Sequence, residues 1–161
     1  MRAGSQPRNG AIAPPRSPAS VVISLGSNLG NRARTLREAV DVLGRVVRIA
    51  RVSRVIETEP VDAPAGSPPF LNMVIVGWTR LSPELLLDEL LAIERQLGRR
   101  RPAPRNAPRT IDLDLILHSG NLRRTDRLTL PHPRYRQRRF VLDPLRELGL
   151  PWRDPLTQMP L

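Results

Sequence analysis

Apolar and polar positions recur along this chain in blocks whose period reads as structure. Residues 20–26, SVVISLG, form a short run rich in β-branched residues that closes on glycine and predicts a central strand. Residues 31–44 set Leu36, Val40 and Leu43 on one helical face and predict a helix stopped by Gly44. The stretch RVVRIARVSRVIET, 45–58, alternates loosely and predicts one second strand, after which 60–69 is a loop of Pro, Gly, Ala and Ser. FLNMVIVGW, 70–78, predicts a third strand. Ser82, Pro83 and Glu84 supply an N-cap, a first-turn proline and an acid for a helix with Leu86, Leu90, Ile93 and Leu97 inward and Gly98 as its stop. The fourth strand is APRTIDLDLIL, 107–117, with Ile111, Leu113, Leu115 and Leu117 on one face.

The order β-α-β-β-α-β predicts an α+β fold with a ferredoxin-like split βαβ core, an antiparallel sheet carrying both helices on one face and leaving the other free for a site. The chain from 119 onward predicts a C-terminal extension: a hairpin or loop through LTLPHPRYRQRRF, then a short helix near 141–148. Residues 1–20, rich in Pro, Gly, Ser and Arg, predict a disordered tail, and 21–161 a single domain. The tail has no apolar segment for a secretory signal, and its prolines oppose the amphipathic helix of an organelle transit peptide.

The fourth strand carries an anomaly. Asp112 and Asp114 leave the same face about 7 Å apart along the chain, and Asp is depleted in strands. Either that face is solvated, or something cationic, arginine or a divalent metal, offsets the pair.

Composition sharpens this. The net charge is +11, and all 26 basic residues are arginine. Three of them lie in the tail, so the remainder still carries +8. Such a balance expects an anionic partner, and the guanidinium fork suits phosphate oxygens. Aromatics are sparse, two Phe, two Trp and one Tyr, which disfavours stacking-based recognition of single-stranded nucleic acid. No apolar run has the length of a membrane span. With no cysteine, disulfides and thiolate metal sites are excluded.

Four constellations could carry chemistry. GSNLGN, 26–31, lacks the Lys-Ser/Thr of a phosphate loop and reads as a tight turn with a polar helix cap. GRRRPAPRNAPRTIDLD brings Arg99, Arg100, Arg101, Arg105 and Arg109 directly before the paired acids. Carboxylates for Mg²⁺ beside guanidiniums for phosphate is the arrangement that holds a triphosphate. RLTLPHPRYRQRRF adds Arg127, Thr129, His132, Arg134, Arg136, Arg138 and Arg139, with His132 on a turn between prolines. Phe70 and Asn72 share one face of the third strand, either as a core ring and a tied amide or as a stacking face and an edge reader for a flat heterocycle.

Taken together, ISLGSNLGN, ETEPV, FLNMV, IERQLGR, APRTIDLDLIL, LTLPHPR and RRFVLDPL resemble the hydroxymethyl-dihydropterin pyrophosphokinase family over about residues 21–148. PRTIDLDLIL is the most specific of the seven. The resemblance implies Mg-dependent transfer of the β,γ-pyrophosphate of ATP to 6-hydroxymethyl-7,8-dihydropterin in folate biosynthesis, with ATP and the pterin as partners. It implies that Asp112 and Asp114 ligate two Mg²⁺ ions. Arg99 and Arg109 would stabilise charge on the transferring group. Glu94, Arg101, Arg109, Leu115, Arg127, Thr129, His132 and Arg138 would meet ATP, and Thr58, Val61, Phe70, Asn72 and Phe140 the pterin. The expected setting is a cytoplasmic monomer with no membrane or nucleic-acid partner. Asn106 stands where some members carry tryptophan, and Glu59 where some carry a small residue or proline. A palm-like two-metal nucleotidyl transferase and an RNA-binding module share the expected topology and stay open on fold alone.

Overall fold

The computed structural model describes residues 17–104, 106–119, 121–150 and 153. Most of the expected tail, Arg105 and the chain end from 154 lie outside the described residues. Ala19 and Ser20, grouped with the tail by composition, instead open the first strand.

The elements run β1 (Ala19–Ser27), α1 (Arg32–Leu43), β2 (Arg48–Val52), β3 (Ile56–Thr58), β4 (Phe70–Thr79), α2 (Pro83–Gln96) and β5 (Asp112–His118). A two-stranded hairpin of β6 (Arg123–Arg124) and β7 (Thr129–Leu130), a 3₁₀ turn (Tyr135–Gln137) and α3 (Arg139–Glu147) complete the fold. The main sheet is ordered β2-β4-β1-β5, with β3 also pairing β4, and every pairing is antiparallel. The α+β class and the antiparallel sheet are as the pattern predicts.

Period-2 alternation divides the sheet into two chemically different faces. Val21, Ile23 and Leu25 of β1, Met73 and Ile75 of β4, and Leu113 and Leu115 of β5 form one core with Leu36, Ala39 and Leu43 of α1 and Leu86, Leu90 and Ile93 of α2. Both helices begin as the sequence predicts. Asn31 accepts the Arg34 N–H at 3.1 Å, and Ser82 accepts the Leu85 N–H at 3.3 Å. Gly98 closes α2 at φ +88°, whereas Gly44 sits in right-handed helical geometry and continues the chain through a turn.

The opposite face is not free along its length. Val22, Val74, Val76, Ile116 and Leu117 pack there against Tyr135 and against Val141, Leu142 and Leu145 of α3. Only the half nearer Gly26, Asn72 and Asp114 stays uncovered. Leu117, expected with Leu113 and Leu115, has changed face. The β1–β5 register shifts between Val22 and Ile23, so Ile116 is the extra residue of a bulge and reverses the alternation beyond it.

The expected single strand over 45–58 is two. Ser53 interrupts it: its N–H donates to the Val74 carbonyl at 2.9 Å, while its Oγ accepts the Val74 N–H at 2.9 Å and donates to the Arg54 carbonyl at 2.8 Å. The side chain thus replaces one rung of the ladder. The partner sum slips by one residue there, from Val52 opposite Ile75 to Ile56 opposite Asn72.

His118, at the end of β5, is 3% exposed. Its Nε2 meets the Leu81 carbonyl at 3.0 Å, so that nitrogen carries the proton, and Nδ1 accepts from Asn121 at 2.9 Å. Both contacts are satisfied only by the neutral ring. Burial lowers its pKa from the ordinary value. The folded state therefore resists a proton that the unfolded state accepts, and this stability is present above about pH 6.5 and lost as pH falls below it. Melting temperatures at pH 7.5 and 5.5 should show a fall in the wild type and a smaller fall in His118→Gln, with His132, also lowered chiefly by burial, contributing the remainder. Equal falls in both proteins would contradict the assignment.

Candidate functional site

The uncovered half of the sheet holds the paired aspartates. With Leu113 and Leu115 turned into the helical core, Asp112 and Asp114 face the other way and are both partly exposed. Each is offset by arginine. Asp112 receives Arg99 on Oδ1 and Arg109 on Oδ2, the latter at 2.8 Å. Asp114 receives Arg138 on Oδ2 at 2.7 Å. Burial pushes the Asp112 carboxyl up, but the charges and hydrogen bonds of Arg109 and Arg99 outweigh it and hold the group below its ordinary value.

Two of these arginines also lie over aromatic rings. The Arg109 guanidinium is 5.0 Å from the Phe70 ring centre, and that of Arg138 is 5.5 Å from Phe140. The two phenylalanines of the chain are thereby tied, through one arginine each, to the two aspartates.

Arg99 is itself fixed from below. Glu94 of α2 is 2% exposed, and its Oε1 accepts Arg99 and, at 2.9 Å, the Leu113 N–H of β5. Its Oε2 accepts Arg101 at 3.0 Å. Burial raises the Glu94 pKa, against the lowering influence of the Leu113 N–H and of Arg99.

Two cavities open from this arrangement. The smaller, about 490 Å³, has Phe70 and Phe140 in its wall together with Asn72, Thr58 and Val61. The Asn72 amide donates to Thr58 Oγ1 at 2.7 Å, leaving its oxygen available. Gly26 stands behind them, where a Cβ would come within 3.0 Å of Asn72 Oδ1. The larger cavity, about 1040 Å³, is lined by the 98–104 segment, Thr110 and His132. Asn106, Arg109, Asp112, Asp114, Arg134 and Arg138 belong to both walls. The aspartates therefore stand where an aromatic, amide-edged chamber meets an arginine-rich one.

The loops are joined to this wall by particular contacts. Asn28 of the GSNLGN turn accepts the Arg109 N–H at 2.8 Å and donates to the Pro68 carbonyl at 3.1 Å. Arg32 holds the Pro69 carbonyl at 2.7 Å. Asn106 donates to the Asp62 carbonyl at 2.8 Å, and both residues adopt positive φ, 58° and 52°, a region that Asn and Asp tolerate better than most.

The sequence model described as 7,8-dihydro-6-hydroxymethylpterin-pyrophosphokinase (HPPK) matches residues 22–150. The chain belongs to the HPPK family. It is 43% identical over 128 residues to the 2-amino-4-hydroxy-6-hydroxymethyldihydropteridine pyrophosphokinase of Bacillus subtilis, covering 78% of this chain and 75% of that protein. Against the protein of the same name from Porphyromonas gingivalis it is 40% identical over 148 residues, 88% of this chain and 98% of the relative. It is also 41% identical over 129 residues, 80% of this chain, to a folate synthesis bifunctional protein of Arabidopsis thaliana, of whose length it spans 26%.

Of the residues that the HPPK resemblance singles out, Thr58, Val61, Phe70, Asn72 and Phe140 all line the smaller cavity. Arg99, Arg101 and His132 line the larger, and Arg109, Asp112, Asp114 and Arg138 the shared wall. Four stand outside both walls. Leu115 has the wrong strand parity and is core. Glu94 is buried beneath β5. Arg127 pairs with Asp88 of α2 at 2.6 Å, and Thr129 is in the small hairpin.

Asn28, read as a turn residue, and Ser24, Gly26 and Asp62 were not marked by pattern. The role of Asn28 depends on partners 40 and 81 residues away, which no local signal reports.

Glu94→Ala should leave Arg99 facing Arg101 with no shared carboxylate and cost about 3 kcal/mol of stability, read by urea unfolding. A change under about 0.5 kcal/mol would show that Glu94 clamps nothing.

Proposed function

We propose that this chain transfers the β,γ-pyrophosphate of ATP to the hydroxymethyl group of 6-hydroxymethyl-7,8-dihydropterin, giving AMP and the pterin pyrophosphate in folate biosynthesis. The observation that carries this is the shared wall: two carboxylates placed between a chamber suited to a flat heterocycle and one suited to a polyphosphate. Membership of the HPPK family supports the same reading.

Two Mg²⁺ ions would be held by Asp112 and Asp114. Among the described residues no group of three or more His, Cys, Asp or Glu is placed to bind a metal. The pair alone fits Mg²⁺, which takes one or two carboxylates and completes its shell with water and substrate phosphates. When bound, the ions supply charge neutralisation at the phosphate oxygens.

The residues of the chain do the rest. The pterin lies between Phe70 and Phe140, with Asn72 and Thr58 at its edge, so its hydroxyl points toward the shared wall. ATP occupies the larger cavity, where Arg101 and His132 meet its phosphates and Arg99 and Arg109 face the transferring group. The buried Arg109 Nε and Thr110 Oγ1 lack hydrogen-bond partners in the structure, and both residues belong to the wall of the larger cavity. The bond from the pterin oxygen to the β-phosphorus forms as the bridge to the α-phosphorus breaks, so the protein contributes position and charge more than covalent chemistry. The loops joined by Asn106 and Asp62 exclude water. No helix among the described residues is long and apolar enough to cross a membrane. The soluble small substrates support a cytoplasmic setting, and the chain is proposed to act there as a monomer of one domain, which β1 opens at Ala19.

With MgATP and the pterin supplied, the purified protein should release AMP, and Asp112→Ala or Asp114→Ala should lose on the order of 10² or more in kcat while circular dichroism shows a folded chain. ADP as the product, or near-full activity in either variant, would overturn the reading. Gly26→Ala, whose Cβ presses on Asn72, should raise KM for the pterin by roughly tenfold, about 1.4 kcal/mol, and leave KM for ATP unchanged. An equal rise for both substrates would remove the pterin from this chamber.

A further inference from the structure

We propose that Arg134 is a further phosphate-contacting residue, taking β- or γ-phosphate oxygens of the nucleoside triphosphate where the two cavities meet. This rests on the pyrophosphokinase reading and adds to it a residue that neither the paired acids nor the arginines bound to them identify.

Three arginines belong to both cavity walls, Arg109, Arg134 and Arg138. Two of them are already engaged, Arg109 by Asp112 and Phe70, Arg138 by Asp114 and Phe140. Arg99, in the larger cavity, is engaged by Glu94 and Asp112. Arg134 is exposed, and among the described residues its guanidinium has no carboxylate partner. The wall thus presents one uncommitted, permanently charged fork to whatever bridges the chambers.

Its place is set by buried neighbours. Tyr135, next in the chain, is fully buried in the core beneath α3. The backbone is pinned on the other side by the His132 N–H, which donates to the Ile116 carbonyl of β5 at 2.9 Å. The Arg134 N–H donates to His132 Nδ1 at 3.2 Å, and the Tyr135 N–H to the His132 carbonyl at 3.1 Å. A side chain leaving so fixed a turn toward both cavities has little backbone freedom to lose on meeting a ligand. The transferring phosphates must pass the Asp112 and Asp114 wall, and Arg134 stands at that crossing.

The test compares wild type, Arg134→Gln, Arg134→Lys and Arg37→Gln, an exposed arginine of α1, by calorimetry with Mg²⁺ and α,β-methylene-ATP, with AMP, and with the pterin. Arg134→Gln should bind the triphosphate analogue roughly tenfold more weakly and lose a similar factor in kcat/KM for ATP, with AMP and pterin affinities unchanged. Arg134→Lys should recover part of the loss, and Arg37→Gln should match wild type. Unchanged analogue binding and rate in Arg134→Gln would overturn the proposal, as would an equal loss for AMP. If wild type itself binds the analogue but forms no AMP from ATP and the pterin, the pyrophosphokinase reading fails separately. If it does not bind the analogue, both fall.

Discussion

Two carboxylates side by side on a central sheet cannot stand uncompensated, and much of the site follows from how they are compensated. Asp112 and Asp114 are partly withdrawn from water on a strand flanked by hydrocarbon, where two like charges repel each other and each loses hydration. The protein answers with Arg99, Arg109 and Arg138. These guanidiniums anchor the acids and also line the larger cavity. They hold the acids aimed, Arg109 and Arg99 keep the Asp112 carboxyl below its ordinary value, and each has a second anchor, Glu94 for Arg99 and a phenyl ring for each of the others.

The scaffold makes this affordable by separating functions between faces. Leucine, valine and isoleucine on one side of β1, β4 and β5 bury α1 and α2, and α3 closes half of the other side. Each large apolar side chain so buried contributes about 1.5–3 kcal/mol. That leaves the uncovered half able to carry charge, an amide and a glycine in strand positions that elsewhere would be apolar. Loops from distant parts of the chain then complete the walls, held by Asn28 and by the contact between Asn106 and Asp62.

What could be read from the chain was what depends on local period. The apolar recurrence in α1 and α2, the caps at Asn31 and Ser82, the parity of β1 and β4, and the oddity of Asp112 and Asp114 are all properties of neighbouring residues, and the structure places each accordingly. The grouping of residues into an expected pterin set and an expected ATP set came from the family resemblance. Neither could report features made by partners far along the chain. The turn of Leu117 to the other face comes from a register shift between β1 and β5. Leu115 already stood opposite the aspartates by strand parity, whereas Arg127 and Thr129 carried no local sign that a surface ion pair and a small hairpin would leave them outside the cavities. Glu94 looks like any helix acid until its three hydrogen-bond partners are seen together.

The interruption at Ser53 bears on how this chain can vary over evolutionary time. Thr58 lies opposite Phe70, and so on the chamber side, because the partner sum slips by one between β2 and β3. In a strand, parity is binary. Removing one residue between Val52 and Ile56 would turn Thr58 toward the helices without substituting any residue of the chamber wall. Ser53 apart, this short connection is therefore open to substitution and closed to odd changes of length, and an insertion or deletion there would be tolerated only in pairs.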